Sequence, residues 1–327
     1  MWIFAAYLLL ALCVIFFSAR LGHYVDLLDQ KTTLASAFIG GVMLAAVTSL
    51  PELFTSITSV AAVGKPALVV GNILGSDLFN AFVLGLVFLV WFRGLMAARV
   101  TRSHVTTAVC VLAVYLILGV TCLWGRSLLL IGVSAISLVI AVLYAVSIKM
   151  MSGDEDTGDK EDVSPLSVRQ VATRFACYAV LLVIASILIT YASDYIGETL
   201  GLGTTLAGAL LLGIVTSLPE MISCFVLARV GNFNAMIGNI VGSNMFNFII
   251  LVVADVVYWN HDLYVYDGQG RLLLLTGVVS AAAVLVLTSL LARTGSGQRK
   301  RPALPVALLS VVPVVCYGVF VTLSAGL

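Results

Sequence analysis

The sequence predicts an all-α polytopic membrane protein: ten transmembrane helices, arranged as two inverted five-helix repeats, with both termini outside. Three observations carry that prediction. The 327 residues are 61% hydrophobic and only 10% charged, with a mean hydropathy of +1.13, whereas soluble domains carry about 25% charged residues. The string Thr48-Ser49-Leu50-Pro51-Glu52 returns unchanged as Thr216-Ser217-Leu218-Pro219-Glu220. The basic residues fall mostly on alternate connections between apolar runs.

A helix needs about 20 residues to cross a bilayer. Runs of that kind occupy 1–18, 33–62, 66–92, 104–123, 127–148, 171–191, 203–228, 233–258, 272–292 and 304–324. They are continuous and show no dyad alternation, which argues against a closed β-barrel. The first run has no basic leader and is followed by Arg20, the charge order of a retained span rather than a cleaved signal.

The connections after spans one, three, five, seven and nine carry 14 of the 17 basic residues. These are Arg20 and Lys31; Arg93, Arg99 and Arg102; Lys149, Lys160, Arg169 and Arg174; Arg229; and Arg293, Arg299, Lys300 and Arg301. Lys65, Arg126 and Arg271 fall on the other side. Lys and Arg in short loops stay in the cytoplasm, so the termini face out of a cell (inner) membrane.

The chain divides into a first repeat at 1–150, an acidic cytoplasmic linker at 151–170 and a second repeat at 171–327. The linker holds Asp154, Glu155, Asp156, Asp159, Glu161 and Asp162 and reads as a solvated segment. A calcium-sensing loop is the sharper alternative, but Gly158 is one place early for an EF-hand counted from Asp154. The basic stretch Arg293–Pro302 reads as an orientation signal, with contact to anionic lipid as the alternative.

The self-match extends beyond the first string. The block Gly71-Asn72-Ile73-Leu74-Gly75-Ser76-Asp77-Leu78-Phe79-Asn80 aligns with Gly238-Asn239-Ile240-Val241-Gly242-Ser243-Asn244-Met245-Phe246-Asn247. Five spans per half start the second half on the opposite side of the membrane. Inverted repeats of this kind place their site near mid-membrane, between the halves.

A carboxylate within an apolar run needs a partner, a cation or a water-filled cavity. Each string offers one carboxylate, two hydroxyls and a carbonyl freed by the proline one residue before the Glu. Ser76 and Asn80 are four apart and share a helix face, as do Ser243 and Asn247. The paired glycines Gly71/Gly75 and Gly238/Gly242 let helices approach closely. All these donors are oxygens, which suit a hard cation such as Ca2+, Na+ or Mg2+. The plainer alternative is a proline kink with hydroxyls bonded to backbone. Two symmetry-related copies favour the ligand reading.

At these residues the sequence resembles the calcium/cation antiporter superfamily, sodium/calcium exchanger type, with a linker as short as that of prokaryotic members. The resemblance implies ten helices, alternating access and a central diamond of ion sites. It implies that Glu52 and Glu220 bind Ca2+, helped by Thr48 and Thr216 through backbone oxygens. It makes Ser49, Ser217, Ser76 and Ser243 part of flanking Na+ sites, with Asn80 and Asn247 completing the centre. The sequence departs from the family in three places. Val47 and Val215 stand where Gly often precedes the Thr-Ser pair. Asp77 replaces the usual Asn and points about 100° around the helix from Ser76, so it is expected beside the centre. Asn247 occupies a position that is Asp in some members, including potassium-dependent ones, which argues weakly against K+ coupling.

The resulting expectation is Ca2+/Na+ antiport, with H+/Ca2+ exchange, or exchange of another divalent ion, as the alternative and a cation channel further off. No cofactor is implied; the partners are Ca2+, a monovalent counter-ion and the lipid bilayer. An enzyme is not expected, since no HExxH motif occurs. There is no GxxxxGK loop for ATP, and a net charge of +1 gives no field for nucleic acid. His23, His104 and His261 are expected at surfaces or interfaces. The six cysteines form no CxxC pair and read as small packing residues.

Overall fold

Hydrocarbon offers a backbone no hydrogen-bond partner, so the apolar runs close into helices. The computed structural model describes residues 2–31, 48–98, 100–125, 127–151, 166–293 and 302–326. Its helices are α1 (Trp2–Lys31), α2 (Leu50–Ala61), α3 (Pro66–Val90), α4 (Phe92–Ala97), α5 (Arg102–Trp124), α6 (Ala135–Met151) and α7 (Val168–Leu200). After α8 (Thr204–Thr216) come α9 (Leu218–Arg229), α10 (Phe233–Val257), α11 (Gly268–Arg293) and α12 (Ala303–Ser324).

Seven of the described helices are long and apolar enough to cross a membrane: α1, α3, α5, α7, α10, α11 and α12. The bent pair α8–α9 makes eight if it is one span. The span expected at 33–62 is described only from Thr48 onward. Val47, residues 152–165 of the acidic linker and the basic Arg299–Arg301 lie outside the described residues.

Two expected spans take a different form. The run 127–148 begins instead with a two-stranded hairpin, β1 (Leu129–Leu130) and β2 (Val133–Ser134), paired antiparallel. Ile131 and Gly132 turn it with φ of 53° and 80°, the two positive values of a tight hairpin turn. This leaves α6 only 17 residues. The first run continues well past residue 18, because α1 stays helical for 30 residues.

Burial sorts the helices. In their most apolar stretches α3 is 78% buried and α10 is 61% buried, against 17% for α1 and 28% for α12. The two helices carrying the second repeated block are therefore the centre, and α1 and α12 present apolar side chains outward. A cross-packing of glycines brings α3 against α8. A Cβ on Gly71 would meet the backbone of Thr205, and one on Gly75 would meet Ala209. From the other side, Gly208 and Gly213 lie against the backbone of α3 near Leu68 and Asn72.

Local signals set the helix ends. Ser167 accepts from the Gln170 backbone N–H while the Gln170 side chain accepts from the Ser167 N–H, a reciprocal cap for α7. Gly201 closes α7 with φ 65°. The connections are tied at both ends of the bundle. Lys65 pairs with Asp194 and Glu198, both at 2.6 Å. Burial disfavours the Lys65 charge, but these two carboxylates outweigh it and hold the amine above its ordinary value. Asp262 accepts from the Ser127 backbone N–H and hydroxyl, and Asp255 from the Ser134 backbone N–H and the Ser137 hydroxyl. Together they fix the hairpin to the α10–α11 region. At the opposite end, Thr101 donates through backbone and hydroxyl to Asn234 Oδ1. His104, expected at a surface or interface, is buried, its ring against Gly238.

Candidate functional site

The repeated strings do not run through their helices; they start them. Ser49 has φ −93° and ψ 13°, and Ser217 has φ −90° and ψ 3°. Both lie off helical geometry, in matching conformations. Pro51 and Pro219 then sit within the first turn of α2 and α9, where a missing N–H costs no helical bond. The expectation of prolines inside a helix is corrected accordingly. In the second copy α8 and α9 meet at 47°. The Ser49 and Ser217 carbonyls accept from Leu53 N at 3.1 Å and Met221 N at 3.0 Å. Glu52 and Glu220 thus fall in the first turn, where the partial positive charge of a helix N-terminus favours a carboxylate. Just upstream, Gly208–Gly213 is π-helical, a distortion frequent near functional sites.

Both carboxylates are 1% exposed. Ser49 Oγ donates to Glu220 Oε1 at 3.5 Å, and Ser217 Oγ donates to Glu52 Oε1 at 3.4 Å. Each repeat therefore holds the acid of the other. The second oxygens, Glu52 Oε2 and Glu220 Oε2, have no hydrogen-bond partner among the described residues. The same holds for Ser243 Oγ, Asn80 Oδ1 and Asn247 Oδ1. A buried oxygen without a donor loses its hydration and gains nothing in return, unless a cation or water meets it.

The other expected positions fall close by. Thr216 Oγ1 donates to Leu212 O at 3.0 Å and to Asn72 Oδ1 at 3.5 Å. Ser76 Oγ donates to Gly213 O at 3.2 Å, across to α8. Asn80 Nδ2 donates to Asn244 Oδ1 and Asn247 Nδ2 to Asp77 Oδ1, both at 2.9 Å. These bonds engage the Asn80 and Asn247 amide N–H groups between α3 and α10 and leave the amide oxygens of Asn80 and Asn247 without a partner among the described residues. The sequence reading placed Asp77 beside the centre; it is bonded directly to one of the expected ligands.

Asn72 is not among the ligands expected from the sequence. Its amide donates to Thr55 Oγ1 at 2.9 Å, Ser56 Oγ at 3.0 Å and Glu52 O at 3.4 Å, pinning the first turns of α2 to α3. Its place in the repeated block was the available signal. In the mirrored position Cys224 stands for Ser56, and Asn239 Nδ2 lacks a partner among the described residues.

Comparison with known proteins bears on the fold and the family. The putative antiporter CaxA of Alkalimonas amylolytica is 26% identical over 284 residues, covering 82% of this chain and 88% of that one. Among solved structures, the H+/Ca2+ exchanger CAX superposes with a TM-score of 0.70 at 14% identity, over 99% of this chain and 87% of that one. The sodium-calcium exchanger NCX_Mj superposes at 0.59 and 16% identity, over 98% of both chains. These two likenesses establish a shared fold. The sodium/calcium exchanger protein family matches residues 2–148 and 171–326. With nearly the whole length matched on either side of the acidic linker, this chain belongs to the sodium/calcium exchanger protein family.

Proposed function

We propose that the protein is a secondary active antiporter that exchanges Ca2+ for Na+ by alternating access. The observation that carries this reading is the reciprocal pair: Glu52 and Glu220, each 1% exposed, each bonded by the serine of the other repeat. Two ionised carboxylates balance one Ca2+. Without a cation they repel each other through a medium of low dielectric. A site that resists standing empty favours obligatory exchange over leak.

Neutral oxygens support Na+ as the counter-ion. Ser243 Oγ, Asn80 Oδ1 and Asn247 Oδ1 lack partners among the described residues, and neutral oxygens suit a monovalent ion that brings little charge. Proton coupling would act at the carboxylates, and those neutral oxygens would then serve Ca2+ alone. The rival is H+/Ca2+ exchange, since the fold is shared with an exchanger of each kind.

The ten-span plan with outward termini belongs to the same proposal. Loop contacts support it. Lys65, after span two, meets Asp194 and Glu198, at the end of span six. Ser127 and Ser134, after span four, meet Asp262 and Asp255, at the end of span eight. Thr101, after span three, meets Asn234, after span seven. Even connections thus meet even ones, and odd meet odd. In this plan α2 is the second half of span two, and α6 with its hairpin is span five.

Calcium uptake into vesicles holding the purified protein tests the counter-ion. An outward Na+ gradient should drive uptake, and an outward proton gradient at equal Na+ should not. The reverse result would replace the reading by H+/Ca2+ exchange. Current that persists without any counter-ion gradient would indicate a channel.

A further inference from the structure

Asp77 is a third buried acid, and the central pair does not use it. It is 1% exposed, yet Glu52, Glu220 and Asp77 do not gather into one group of three acids. Its Oδ1 accepts from Asn247, and its backbone carbonyl accepts from Asn244 Nδ2 at 3.2 Å. Its Oδ2 has no hydrogen-bond partner among the described residues.

Asp77 lines a lateral cavity bounded by α3, α5, α10 and α11, where its polar companions are Tyr115, Asn244 and Ser280. Ser280 is also 1% exposed, and its Oγ is likewise without a partner among the described residues. The space open to the centre of a water molecule is about 20 Å³, and roughly 10–15 Å³ suffices for one water. A Na+ ion is no larger. The Tyr115 ring lies over Gly277, where a Cβ would collide with it, and so stands in the cavity wall with Asp77. Gly277 and Ser280 are three apart and share one face of α11. No basic side chain lines the cavity. An ionised carboxylate buried here requires a compensating charge.

We propose that Asp77, Ser280 and Tyr115 form a separate site for one monovalent cation of the Na+ class. The site is lateral to the central pair and linked to it through Asn247 and the Asn244–Asn80 amide bond. It exists on one side only, because the mirrored position of Asp77 is the neutral Asn244. Ca2+ held by Glu52 and Glu220 therefore leaves this cation in place, and the two should not compete.

Radiolabelled sodium binding to the purified full chain, at saturating Ca2+, tests the proposal. The wild type should retain one Na+ per chain. Asp77→Asn should retain none and still bind Ca2+ within twofold of wild type. That variant installs the residue the mirrored repeat already has, so folding should survive. Ser280→Ala should weaken the retained Na+ by about three- to tenfold, the loss of one oxygen ligand. Glu52→Gln should keep the Asp77-dependent Na+ even though its Ca2+ site is gone. Failure of the exchange reading would thus be distinguishable from failure of this one. Wild type retaining no Na+, or Asp77→Asn retaining as much as wild type, overturns the proposal; a permanently protonated Asp77 would give the first result.

Discussion

Ser49 and Ser217 are chemically small changes from alanine, yet each touches the acid of the opposite repeat. Hydrogen bonds to charged groups contribute about 1.5–3 kcal/mol. At 3.5 and 3.4 Å these sit at the weak end, so Ser49→Ala and Ser217→Ala should each weaken apparent Na+ affinity by about tenfold. The symmetry of the contacts predicts nearly equal effects. Na+-dependent calcium uptake in vesicles, measured across a Na+ titration, checks this. Most residues of the proposed centre were legible in the sequence because Glu, Pro and Asn are costly in an apolar run and recur at fixed spacing. The cavity beside Asp77 was not. It depends on Tyr115, Gly277 and Ser280, which carry no motif and meet only through packing of α5 and α11 on α3.

Among the elements, α3 is held by contact of its glycine face with α8. A Cβ on Gly75 would lie 2.5 Å from Ala209 Cα, so Gly75→Val forces backbones apart and not merely side chains. Overpacking of this kind costs about 1–3 kcal/mol or more. The expected outcome is loss of the monodisperse peak on size exclusion, or a lowered melting temperature with little transport. The Gly-xxx-Gly spacing announced this close approach. The hairpin at 129–134 was hidden, since Leu129-Leu130-Ile131 reads equally well as strand or helix by hydropathy. The break at Ser217 was only half visible. Pro219 marked it, but a proline in a first turn and one inside a kinked helix look alike in sequence.

For the whole molecule, the claim is a ten-span inverted repeat with outward termini. Ile131 is 91% exposed at the hairpin tip and should face outside, while Gly153 of the acidic linker should face the cytoplasm. With the six native cysteines replaced, Ile131→Cys should react with a membrane-impermeant maleimide in intact cells and Gly153→Cys only after lysis. Labelling of both from one side would break the inverted plan. The charge bias that predicts this side assignment was fully readable in sequence, because it needs only the order of Lys and Arg along the chain.

Calcium binding by the purified chain tests the central claim most directly, that one acid from each mirrored half holds a shared divalent ion. Calorimetric titration should give one Ca2+ per wild-type chain. Glu52→Gln and Glu220→Gln should each abolish that binding while keeping a wild-type elution profile. A folded Glu52→Gln or Glu220→Gln variant that still binds Ca2+ with wild-type affinity would contradict the account.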